Sequence, residues 1–295
     1  MLNHFRVALF IAVSVVLLWT PLSHSETGKN RPFSLSTEVI TQGSMIIGQL
    51  RLDQLEIAQL KSSYQIQLNG KNLLITPKGQ FVFGVGRDEK GEIILTTEYI
   101  SKMGQITSES FVFNIQQRDW KVERIDGLQK SKVNPRSAKL IERIRKETKL
   151  VKQARATKSQ LLDFTKTFIK PAHGRISGVY GSQRILNGIK KRPHYGQDIA
   201  NKIGTVVIAP IGGVVTLAEE DLFYSGGTII IDHGYGVNTT YLHLSQINVK
   251  VGQTVSQKDK IGEIGATGRA TGPHLDWRLN WNTTRLDPAL LVKYK

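Results

Sequence analysis

Between Pro32 and Ile125 apolar and polar positions alternate with a period of two, the spacing of strands that bury one face. Ile66 and Leu68 lead into Asn69-Gly70, a pair that favours a tight hairpin, and Leu73 to Ile75 continue beyond it. Phe81-Val82-Phe83, Ile93-Ile94-Leu95, the alternation of Phe111, Phe113 and Ile115, and finally Trp120, Val122 and Ile125 read as further short strands divided by turn residues. Residues 32–128 are therefore expected to form an N-terminal β-sandwich-like domain. It shows no cluster of His, Asp or Glu, so it reads as a binding or spacing module.

The pattern changes between Pro135 and Phe168. Gly disappears, Lys, Arg, Glu, Gln and Ala dominate, and Leu140, Ile141, Ile144, Val151 and Ala154 approximate one helical stripe. This predicts a helix, or two separated at Glu147-Thr148, within a basic linker spanning 130–168, with the stripe resting on a neighbouring domain. From Ile169 Gly and β-branched residues return together. Thr205 to Ile208, Gly213 to Thr216, Thr228 to Ile231 and Thr239 to Leu242 alternate with Gly212-Gly213, Gly226-Gly227 and Gly234-Tyr235-Gly236. A second all-β domain, 169–295, follows, and the whole chain is expected to be mainly β.

Length and composition fit this division, since 295 residues with 40% apolar content suffice for two cores. The N-terminus adds an address: a basic start, an apolar run from Val7 to Trp19, and Ser23-His24-Ser25 form a secretory signal peptide over residues 1–25. A run of about 13 residues falls short of the roughly 20 that cross a bilayer, so no stable membrane insertion is expected after cleavage. The chain has no cysteine, hence no disulfide and no lipid-bearing thiol, and the expected location is the periplasm or cell envelope. The net charge of +16 is uneven: Lys130 to Lys170 hold thirteen Lys/Arg against three Asp/Glu. In an exported protein such a segment points to anionic envelope polymers rather than nucleic acid, or simply to a solvated helix face.

The five histidines beyond the signal segment, His173, His194, His233, His243 and His274, all fall in the last domain. In Pro193-His194-Tyr-Gly-Gln-Asp198, Pro and Gly oppose a helix, so His194 and Asp198 converge through a turn and strand. An imidazole beside a carboxylate suits zinc, although a surface His and a turn Asp would also account for the pair. In Gly272-Pro-His-Leu-Asp-Trp277 the spacing of a strand puts His274 and Asp276 on one face and Leu275 and Trp277 on the other. His243, in Tyr241-Leu-His-Leu244, stands among apolar residues at a strand end, where a hydrogen-bonded core histidine is the ordinary reading. His233 is expected to stabilise a turn and His173 to lie at the surface.

Over Lys170 to Pro288 these motifs, in this order, resemble the lysostaphin-type (LytM-like) zinc endopeptidases that hydrolyse peptidoglycan. The resemblance rests on Gly178-Val-Tyr-Gly-Ser-Gln-Arg184, the His194 to Asp198 unit, Gly204-Thr-Val-Val207 with Ala209, and Tyr241-Leu-His-Leu-Ser245. Gly252-Gln-Thr-Val255 and Gly265-Ala-Thr-Gly268 before Gly272-Pro-His-Leu275 complete it. It implies a duplicated-hybrid or barrel-sandwich-like peptidase domain, one zinc ion on His194 and Asp198, and His243 and His274 as catalytic histidines. It leaves open which of these two is the general base. Arg184 matches a family arginine that is structural or lines the groove.

In that family the last motif is His-x-His, and its second histidine is the third zinc ligand; here that position is Asp276. Aspartate binds zinc at about 2.0–2.2 Å, so Asp276 is expected to replace the imidazole. Two carboxylates would neutralise the ion and make its water less acidic, which predicts a higher pH optimum or slower turnover than in a relative with His. The activity expected from the resemblance is hydrolysis of peptide cross-links in peptidoglycan. One alternative is a non-catalytic relative that binds and activates a cell-wall amidase; another is a wall-binding scaffold carried by the N-terminal domain and basic linker.

Overall fold

A computed structural model describes residues 31–51, 64–100 and 106–292. The expected signal peptide, 1–25, lies outside the described residues. The fold is mainly β. The first part of the chain contributes β1 (Phe33–Leu35), β2 (Ile40–Thr41), β3 (Met45–Leu50), β4 (Tyr64–Leu68), β5 (Lys71–Asn72), β6 (Gln80–Gly84), β7 (Glu92–Ile100) and β8 (Ile106–Gln116). They form two sheets, ordered β1-β3-β6 and β2-β8-β7-β4-β5. Between the sheets lie Phe33, Ile46, Ile66, Phe81, Phe83, Ile93, Leu95 and Phe111, all buried. The β4–β5 hairpin turns at Asn69 and Gly70, with φ of 49° and 76°, the two left-handed residues that a tight hairpin requires.

One expected member of this sandwich belongs elsewhere. β9 (Val122–Ile125) leaves it and pairs in parallel with β11 (Gln183–Leu186), which also pairs with β12 (Ile189–Lys190). Trp120, just before β9, packs edge-on against Tyr180, with the Arg87 and Arg118 guanidiniums 5.0 and 4.7 Å from the centre of its ring. Arg118 also pairs with buried Asp287 at 2.8 Å. Alternation alone finds Val122 and Ile125 in a strand but not which sheet completes it.

Two helices follow, α1 (Lys130–Val133) and α2 (Ala138–Arg155). α2 runs unbroken through Glu147 and Thr148, where a break was a possibility: the Thr148 hydroxyl donates to the Ile144 carbonyl, and Glu147 accepts from Arg143 and from the Phe223 backbone N–H. The C-terminal end of its stripe rests on a neighbour, where Ala154 and Val151 pack on Leu217, Leu222 and Ile230.

The remaining strands are β10 (Arg175–Gly178), β13 (Gln197–Ala200), β14 (Val206–Ile208), β15 (Gly213–Leu222), β16 (Gly226–Gly234), β17 (Val237–Ile247), β18 (Thr254–Val255), β19 (Lys260–Ile264), β20 (His274–Trp281) and β21 (Thr284–Leu286). Their main sheet runs β10-β13-β20-β17-β16-β15-β18. One face is apolar: Ile229, Ile231, Val237, Tyr241, Leu275, Trp277 and Leu279 enter a common core. The alternate residues of β20, His274, Asp276, Arg278 and Asn280, point to the opposite face.

Candidate functional site

Register brings the expected site residues together on that opposite face. β13 and β20 are antiparallel with Asp198 directly across from Asp276, and on the other side of β20 Leu242 of β17 faces Asp276. His194 reaches the same point from the turn before β13, and its Nε2 lies 3.0 Å from Asp198 Oδ1 while its Nδ1 lies 4.0 Å from Asp276 Oδ2. Ligand atoms of His194, Asp198 and Asp276 all lie within 4.8 Å of one another, and all three residues are buried. His274 Nε2 stands 3.9 Å from Asp198 Oδ1, and the rings of His243 and His274 are 4.8 Å apart.

Two glycines make this convergence possible. A Cβ on Gly178 would collide with the Asp198 carboxylate, and one on Gly196 with Asp276 Oδ1. His243 sits within β17 rather than at its end, at a register irregularity against β16, with φ of 66°. A left-handed histidine in a strand is a strained conformation of the kind that gathers at functional sites. Its backbone N–H donates to the Ser225 carbonyl, which holds the kink.

The hydrogen bonding of the cluster is uneven. Both ring nitrogens of His194 and Asp198 Oδ1 are buried without a hydrogen-bond partner. Buried polar atoms are almost always paired, so an unpartnered imidazole nitrogen beside an unpartnered carboxylate oxygen fits a divalent cation. Each carboxylate has a guanidinium behind it. Arg184 Nη2 donates to Asp198 Oδ2 at 2.6 Å, and Arg278 grips Asp276 through Nε (3.0 Å to Oδ1) and Nη2 (2.5 Å to Oδ2). Burial opposes the Asp276 charge, but Arg278 and then His194 outweigh it and hold the carboxyl far below the usual carboxylate range. Asp198 is held below that range too: burial and the repulsion of Asp276 are outweighed by His194 and Arg184. Neither acid needs a metal to stay ionised. The arginines also change the charge count, because they offset the second carboxylate that would otherwise neutralise a bound ion.

His243 Nδ1 donates to the Thr267 carbonyl at 2.8 Å and His274 Nδ1 to the Gly272 carbonyl at 2.8 Å, which leaves Nε2 of each ring as the acceptor. Burial pushes the His243 imidazole down to about 4, so it is neutral at neutral pH.

The other histidines lie apart. His173 is exposed, as expected. His233 does not stabilise a turn: it is fully buried in β16, with Nδ1 donating to the Gly212 carbonyl and Nε2 accepting from the Thr239 hydroxyl, each at 2.7 Å. Sequence reasoning missed Arg278, although period two puts it on the face of Asp276, two residues earlier. It also missed Arg155, whose place beside β17 depends on how α2 packs.

Residues 192–288 match the model of peptidase family M23. The chain is 46% identical over 107 residues to the peptidoglycan DD-endopeptidase ShyA of Vibrio cholerae, covering 36% of this chain and 24% of that protein. It is 40% identical over 102 residues to a metalloprotease of Haemophilus influenzae, covering 35% and 21%. The chain thus covers about a quarter of the length of these curated relatives. A crystal structure from Pseudomonas aeruginosa described as an M23 peptidase superposes with a TM-score of 0.59 at 27% identity, covering 87% of this chain and 95% of that one. With the motifs, the register and these likenesses in agreement, residues 192–288 are a peptidase family M23 domain of the LytM type, homologous to the peptidoglycan DD-endopeptidases.

Proposed function

We propose that the chain is an exported zinc metalloendopeptidase that hydrolyses peptide cross-links of peptidoglycan. The observation that carries this reading is the convergence of His194, Asp198 and Asp276 within 4.8 Å, with unpartnered ligand atoms on His194 and Asp198, beside His243 and His274. His194, Asp198 and Asp276 would hold one zinc ion, which when bound supplies Lewis-acid polarisation of the scissile carbonyl and a more acidic water.

The chain's own groups do the rest. His243 and His274 are fixed by the Thr267 and Gly272 carbonyls in the tautomer that presents an unprotonated Nε2. One of them takes the proton of the attacking water and returns it to the leaving amine; the second lies close enough to hydrogen-bond the same reacting groups. Arg184 holds Asp198, Arg278 holds Asp276, and each keeps its acid ionised and oriented. Because both guanidiniums restore positive charge around the cluster, the cost of having aspartate in place of histidine is smaller than the ligand count alone implies.

Export to the periplasm or envelope rests on the first 25 residues, and no helix among the described residues is long and apolar enough to cross a membrane. The exposed lysines of α2 fit anionic envelope polymers.

The test is zinc content of the purified protein together with digestion of purified sacculi, before and after chelation and zinc return. One equivalent of zinc and chelator-sensitive release of peptides are expected. A metal-free protein, inert on sacculi but stimulating an amidase, would replace this reading with the non-catalytic one.

A further inference from the structure

The face of the sheet that carries the site does not end at Asp276. Across β17 and β20, Thr240 faces Arg278 and Asn238 faces Asn280, so these residues continue the same sheet face beyond Leu242 and Asp276. α2 covers this same face further on, through Ala154 and Val151 on Ile230 and Leu217. That packing delivers Arg155, the last residue of the helix, to Thr240, whose hydroxyl accepts from Nη2 at 3.4 Å. On the other side Arg285 of β21 donates through Nη1 to Asn280 Oδ1 at 2.7 Å.

Three guanidiniums therefore gather over one stretch of this sheet face, and Asp276 is already gripped by one of them, Arg278. Arg155 and Arg285 have neutral oxygen partners, and Arg155 Nε is buried with no hydrogen-bond partner. Burial, then the neighbouring guanidiniums, lower Arg155 well below its ordinary value and bring Arg285 down to about 10. Three guanidiniums that share the one nearby carboxylate of Asp276 are costly to hold together, and a second anion would relieve them. Guanidiniums suit carboxylates, which they grip through paired N–H groups.

We propose that Arg155 and Arg285, on either side of Arg278, form an anion subsite beside the His194, Asp198 and Asp276 cluster that receives a carboxylate of the bound peptide. This rests on the peptidase reading above for the identity of the ligand as a peptide. Arg278 lies one strand repeat, about 7 Å, from Asp276, so the carboxylate belongs about two extended residues from the bond held at the cluster. One contributor, Arg155, lies outside the 192–288 match, which gives the basic helix a place in substrate selection.

The experiment measures binding of a fluorescent, cross-linked stem peptide to the full chain treated with chelator, so that no turnover is needed. Three forms of the peptide are used: both carboxylates free, the C-terminal carboxylate amidated, and the side-chain carboxylate amidated. One amidation is expected to raise the Kd about tenfold, which also identifies the carboxylate. Arg155→Gln and Arg285→Gln should each bind the free acid about tenfold more weakly and lose most of the discrimination, while Arg155→Lys keeps part of it. Equal Kd values for all three forms, no binding of any form, or unchanged discrimination in both Gln variants would overturn the subsite. Sacculus digestion is scored separately: discrimination without hydrolysis removes the enzyme reading and leaves the subsite, and hydrolysis without discrimination does the reverse.

Discussion

Arg278 and Asp276, two residues apart on one strand, form a forked ion pair at the position where the resemblance leads one to expect a lone imidazole. A carboxylate with a guanidinium behind it carries little net charge, so the pair can stand in for a neutral ligand. Arg278→Met should destabilise the metal-free protein by about 3–5 kcal/mol, because it strands a buried carboxylate. The double variant Asp276→His with Arg278→Met should recover most of that loss, since an imidazole needs no counter-charge. Urea denaturation of the two proteins with chelator present checks both statements.

Gly196 should be intolerant of even one methyl group. A Cβ there meets Asp276 Oδ1, so Gly196→Ala is expected to push the carboxylate off its position and lower zinc affinity at least tenfold. Competition with a chromophoric chelator measures this directly, and unchanged affinity would show that the carboxylate is not a ligand.

The proposed catalytic role of His243 and its left-handed backbone are separable. Asn tolerates positive φ better than most residues, so His243→Asn should keep the fold while hydrolysis of sacculi falls by about 10²–10⁴. Circular dichroism together with peptide release from sacculi tests the pair of outcomes.

His233 predicts a pH dependence of stability that has nothing to do with catalysis. Burial lowers its imidazole to about 4, below the 6.5 of an exposed histidine, so the unfolded chain takes up a proton before the native one does. The contribution is fully present above pH 6.5 and is lost as pH falls toward 4, about 3 kcal/mol in all. Denaturant midpoints measured between pH 7.5 and 4 should fall more steeply in the wild type than in His233→Gln.

How much of this could be read in the chain beforehand differs from residue to residue. Asn69-Gly70, Gly272-Pro273 and the alternation through Leu275 and Trp277 are local signals, and their elements form where local physics puts them. The proximity of the candidate residues was legible because His274 and Asp276 share a strand face and the resemblance supplied His194, Asp198 and His243. Long-range pairing was not. The partner of Val122 to Ile125, the path of α2 to Thr240 and the burial of His233 depend on which surfaces meet, and no local period encodes that. Arg278 lay between these cases, since its face was predictable and its bond to Asp276 follows from it.

The parallel pairing of β9 with β11 bears on how the M23 domain can be cut out for study. A fragment beginning at Lys170 would lose β9 and expose Gln183 to Leu186 as a free sheet edge, an invitation to self-association. It would also lose Glu123, whose carboxylate lies 3.6 Å from Arg184 Nε, and with it part of the support for the guanidinium that holds Asp198. A change of activity in such a fragment would therefore report on a damaged scaffold. A cut between Arg118 and Trp120, preserving β9, divides the chain where its sheets divide.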